Sequence, residues 1–140
     1  MGRFLILAIL LFVAGSVADN LLTYWLIFIR GDCFEANPFA APFIYTQPLW
    51  MWFLRDFLGL GLIVAVSFAV KCFVLFLAEK TPPPSRGRIA RVASKYWIIV
   101  LISAVARMLP AIHNMLLAVF GYESPLPIIN IITYRHLMGG

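Results

Sequence analysis

The chain reads as an all-α membrane protein with three transmembrane helices and a cytoplasmic N-terminus. An interfacial outer loop and an outer C-terminal tail complete it. Three observations carry that reading. Hydrophobic residues make up 63% of the 140 and charged residues 12%, against roughly 45–50% and ~25% in typical globular domains. The mean hydropathy is +0.94, and so short a soluble chain has too much surface to hide that apolar mass. The apolar residues also fall into three continuous runs, 4–29, 49–78 and 96–120, and about 20 such residues as helix cross a bilayer core. A transmembrane barrel would need short alternating segments. The composition excludes intrinsic disorder, which needs low hydrophobicity and high charge. Two cysteines are too few for a disulfide scaffold.

The first run opens after Arg3 and is interrupted by Asp19 and Asn20. Ser16-Val17-Ala18 ahead of Asp19 has the small-residue pattern of a signal-peptide cleavage site. The apolar run resumes from Leu21, which a cleaved leader does not require, so an uncleaved span is expected. The 30–48 segment contains Pro38, Pro42 and Pro48 among several aromatics. It should lie along the membrane interface, where such rings are comfortable, with Asn37-Pro38 forming a turn or starting a short helix. Its Arg30-Gly31-Asp32 tripeptide carries no weight as an integrin motif, because it arises readily by chance. The second run is about 45 Å long as helix and should tilt or project beyond the bilayer. Gly61, Ala65 and Ala69 form a small-residue stripe along it, suited to helix packing.

Residues 79–95 carry Lys80, Arg86, Arg88, Arg91 and Lys95, together with Pro82, Pro83 and Pro84. The prolines argue for a hydrophilic loop without helix. The positive-inside rule places that loop in the cytoplasm, with Arg3 on the same side. Only Arg30 and Arg135 fall in the outer loop 30–48 and the tail 121–140. The net charge of +5 is thus mainly an orientation signal. It implies contact between the Lys80–Lys95 loop and anionic lipid and no nucleic-acid binding. Lys71 can snorkel to the headgroups. Cys33 outside and Cys72 inside cannot pair within one chain on this topology, so free thiols are expected. The apolar piece at 128–134 is too short to span and should be interfacial or bound to a partner.

Ionisable groups at a span centre cost about 2.5–3.5 kcal/mol each, so they pair or line polar cavities. Counted along the helices, Asp19 lies about 22 Å, Arg107 about 16 Å, and His113 and Asn114 about 26 Å from the cytoplasmic ends. Arg55 and Asp56 open the second span from the outside. Asp19, Arg55, Asp56, His113 and Asn114 therefore gather in the outer half, below Glu35 and Asn37. Asp19 and Thr23 share a helix face, as do Arg107 and Asn114, while His113 is turned about 100° from Asn114. Pro110 can free carbonyls near that face. The expected arrangement has Asp19 neutralising Arg55 or Arg107, with the other groups hydrogen-bonded.

Asp19-x-x-x-Thr23, then Gly31, then Glu35-x-Asn37-Pro38 resembles the signature of a family of small archaeal and bacterial membrane proteins known only as a domain of unknown function. In that family a basic residue follows in the second span and a His late in the last. Arg55 and His113 match those places over roughly residues 10–120. The chain departs from the pattern by adding Arg107, the proline-rich segment and the tail after Gly121. The resemblance implies a residue set and no established activity.

No His-Glu-x-x-His, no second His in the spans and no nucleophile motif is present. His136 lies in the tail. No cofactor is expected, a metal is left open, and catalysis is the least favoured reading. The expected role is a non-catalytic accessory subunit of the cell membrane, packed against larger subunits or further copies of itself. The alternative is a membrane-embedded module that binds or transports an ion, a proton or a small polar ligand through the outer-half polar cluster.

Overall fold

The computed structural model describes residues 2–35, 37–121 and, as backbone, 132–134. Three helices are long and apolar enough to cross a membrane, as the three runs require. Helix α1 (Arg3–Tyr24) continues into a widened turn over Trp25–Arg30. There the Gly31 N–H reaches five residues back to the Leu26 carbonyl at 3.1 Å. Gly31 ends the span at φ 78°, a left-handed conformation that costs glycine no Cβ clash. Strand β1 (Cys33–Glu35) and the short helix α2 (Ala41–Thr46) form the connection to α3 (Leu49–Glu79). Helix α4 (Pro83–Ala93) leads into α5 (Trp97–Phe120), and β2 (Ile132–Tyr134) pairs antiparallel with β1.

One expectation is corrected here. The basic 79–95 segment is largely helical. Its prolines sit at the helix start, where a missing N–H leaves no bond unmade and the fixed φ suits the first turn. In the tail, Ile132–Tyr134 pairs with the connection, Cys33 opposite Tyr134 and Glu35 opposite Ile132 in a two-stranded ladder. That pairing supplies the backbone of the connection between α1 and α3 with bonds it would otherwise lack. The 128–131 part of the apolar tail segment, Arg135 and His136 lie outside the described residues.

Helices α1 and α5 pack most extensively on each other, and α3 touches both more lightly. Gly15 makes the close approach: a Cβ there would stand 3.3 Å from the Arg107 backbone and 3.0 Å from Met108 Sδ. The small-residue stripe of α3 is not used between the spans of this chain. Gly61, Ala65 and Ala69 are exposed, and nothing lies within 4 Å of a Cβ placed at Gly61. The apolar window of α3 is only 11% buried.

The core is layered along the bundle axis. One apolar cluster joins Leu5, Ala8, Phe12, Leu60, Val100 and Ala104. Another, at the loop end, joins Leu26, Ile27, Cys33, Ile44, Trp52 and Leu117. Buried Ser16, Asp19, Asn20, Thr23, Asp56, His113 and Asn114 form a polar layer on the same three helices. Cys33 is buried and Cys72 is exposed.

Candidate binding site

Arg107 organises the polar layer. Its Nη1 lies 2.7 Å from Asp19 Oδ2, and its Nη2 reaches both Asp56 Oδ2 and, at 3.2 Å, Asn20 Oδ1. A planar guanidinium suits this task, because its fixed fork can address two carboxylates at once. Asp56 also accepts from Ser16 Oγ at 2.6 Å and Asn20 Nδ2 at 2.9 Å. Arg55 contributes two 3.2 Å bonds to the other Asp56 oxygen. Asn114 Nδ2 donates to Asp19 Oδ1 at 2.7 Å and to Thr23 Oγ1 at 2.9 Å. Two carboxylates thus meet two guanidiniums, the condition under which buried charge is tolerable in an apolar surround.

Between the two arginines open to Asp19, the structure selects Arg107; Arg55 pairs with its own neighbour Asp56 and lies over the Phe43 ring at 4.8 Å. The shared faces deduced from helical spacing hold: Asn114 touches both Asp19 and Thr23, and Arg107 and Asn114 both reach Asp19.

The Glu35-x-Asn37-Pro38 element closes the loop over this network by bonding largely to itself. Glu35 Oε1 accepts from the Asn37 N–H at 2.8 Å, and Asn37 Oδ1 accepts from the Phe39 N–H at 3.0 Å. The Asn37 carbonyl accepts from Ala40 and Ala41, which starts the turn into α2. Tyr45 Oη accepts from the Glu35 N–H at 3.1 Å. The Glu35 side chain is buried, and that burial, reinforced by the negative charge of Asp19, pushes its carboxyl up to about 7; the Asn37 N–H and Arg55 act in the opposite sense.

Between the polar layer and this loop lies a cavity of about 230 Å³. Asp19, Asn20, Thr23, Arg107, Pro110 and Asn114 form its floor and walls. Arg55 and Trp52 of α3 and Glu35, Asn37, Ala40 and Ile44 of the connection complete it. Among the described residues, Asn114 Oδ1 and Arg107 Nε here find no hydrogen-bond partner. The Asn114 amide is oriented by its donation to the Asp19 carboxylate, so its oxygen is an acceptor awaiting a donor.

Of the residues expected at a site, Asp19, Thr23, Glu35, Asn37, Arg55, Arg107 and Asn114 converge on this cavity. Asp56 belongs to the same bonded network without lining it. His113 is buried on α5 and does not line the cavity, in keeping with its rotation from Asn114. Pro38 is exposed and acts through the turn. Ser16, Asn20 and Trp52 are additional members. The first two were legible: positions 16, 19, 20 and 23 make one polar stripe at helical spacing. Among the described residues no group of three His, Cys, Asp or Glu is placed to hold a metal ion.

No match emerges when the chain is compared with protein-family models, with curated proteins and with solved structures. The functional reading therefore stands on the geometry.

Proposed function

We propose that this chain is a membrane-embedded binding module, and that the cavity beneath the 30–48 connection takes a small polar ligand from that side of the membrane. The observation that carries the reading is an unpartnered acceptor, Asn114 Oδ1, on a fully buried side chain lining a cavity of about 230 Å³. An acceptor so placed offers a hydrogen bond to a polar group entering the cavity, and leaving it unsatisfied costs about 1–3 kcal/mol. With Glu35 protonated, as its raised carboxyl allows, Asp19 and Asp56 balance Arg55 and Arg107, which favours an uncharged or zwitterionic ligand over a strongly charged one. The asymmetry of basic residues supports the cell membrane, with α4 in the cytoplasm and the cavity opening outward.

A panel of small polar ligands tests the reading by thermal shift on detergent-purified protein. Wild type should be stabilised saturably by at least one of them. Arg55→Ala, which alters the cavity wall at a half-exposed position, should weaken that stabilisation. A panel without effect, or an effect untouched by Arg55→Ala, would oppose the proposal.

A second reading, the small accessory subunit of a larger membrane complex, is supported by the open apolar face of α3. Mild solubilisation followed by sizing separates the two: a stable monomer that still binds ligand favours the module.

A further inference from the structure

A second feature lies at the other end of the bundle, about 24 Å along α3 from Arg55 at 1.5 Å per residue. Two apolar grooves meet there at Lys71 and Tyr96. One, of about 290 Å³, runs between α3 and the α4–α5 junction past Val70, Val74, Ile98 and Ile99, with Lys95 at its edge. The other, of about 500 Å³, runs along α3 past Gly61, Val64, Ala65 and Phe68 toward Leu5. The exposed Gly61 and Ala65 therefore hollow out a groove where they were expected to pack against another helix.

Lys71 is held at the fork. Its Nζ lies 4.8 Å from the centre of the Tyr96 ring and 5.5 Å from that of Phe68. Among the described residues no carboxylate lies within ion-pair distance of Lys71 or Lys95. Glu79 is the sole acidic residue between 57 and 121, whereas Lys80, Arg86, Arg88 and Arg91 flank the fork on the chain. Arg86 is directed to the Glu79 carbonyl at 3.0 Å. The charge of this end is thus uncompensated and the grooves beside it are apolar.

We propose that this fork is a discrete site for one two-chain anionic phospholipid, its phosphate between Lys71 and Lys95 and one acyl chain in each groove. Charge complementarity selects the anionic headgroup, and basic recesses between spans are suited to such headgroups. The branching of the grooves at a single cation selects two chains over one. The site is independent of the cavity at the loop end.

Native mass spectrometry of the detergent-purified chain tests it, with dioleoyl phosphatidylglycerol, dioleoyl phosphatidylcholine, lyso-phosphatidylglycerol and inorganic phosphate as separate probes. Wild type should retain one phosphatidylglycerol roughly tenfold more tightly than phosphatidylcholine. The single-chain lipid and free phosphate should bind more weakly. Lys71→Gln with Lys95→Gln should erase the headgroup preference. Gly61→Leu, which meets open space in the protein, should weaken two-chain binding severalfold while the melting temperature is maintained. Equal retention of both two-chain lipids would overturn the proposal. So would a preference that survives the double lysine variant but is lost on replacing Arg86, Arg88 and Arg91, or binding unchanged by Gly61→Leu.

Discussion

Arg107 carries the site because its guanidinium reaches acids on both other spans, Asp19 on α1 and Asp56 on α3. Its presence in an apolar run made it conspicuous in the sequence, but the choice between Arg55 and Arg107 as partner of Asp19 depends on how the helices are rotated. A sequence does not contain that information directly. Glu35 poses the related problem of depth: its surroundings come from the folded connection and from the approach of Asp19, neither of which local pattern reports. The raised carboxyl has a testable sign. The folded state holds the Glu35 proton up to about 7, while the unfolded chain releases it near 4.5. Between those values the folded state binds more protons, so stability falls as pH rises. The contribution is fully present below the lower value and lost above the upper. Thermal melts across that window should show wild type losing stability relative to Glu35→Gln; parallel curves would mean that Glu35 titrates normally.

At the scale of elements, length and hydropathy located the three spans because a bilayer imposes both. They were silent on which helix pairs closely. Spacing of small residues pointed to Gly61, Ala65 and Ala69, yet the close approach is at Gly15, flanked by Ala14 and Ser16 on α1. Small residues permit proximity without compelling it, and the exposed stripe instead borders a groove. Gly15→Ala should therefore cost about 1–3 kcal/mol by forcing α1 from the Arg107 backbone. Gly61→Ala should be neutral or gain up to about 1 kcal/mol from helix propensity. Unfolding in mixed detergent micelles compares them, and equal effects would contradict the packing of α1 on α5. The basic segment gives the same lesson: three prolines read as helix breakers because their position at the start of α4 was not visible from their number.

For the molecule as a whole, the polar layer forms only if all three spans assemble, since Asp19, Asp56 and Arg107 come from one span each. The cavity, with its floor on α1 and α5 and its cover from the 30–48 connection, depends on that convergence. So does the proposal that it binds a ligand. The residues concerned were largely legible as costly polar groups in apolar runs; the enclosure they make, and the grooves at the opposite end, were not. The most direct measurement is a double-mutant cycle between Asp56→Asn and Arg107→Gln, 51 residues apart in the chain, read by equilibrium unfolding in mixed micelles. The structure predicts a coupling energy of about 1.5 kcal/mol or more, as for groups sharing one buried network. Additivity within about 0.5 kcal/mol would show that the two side chains do not meet, and would contradict the site.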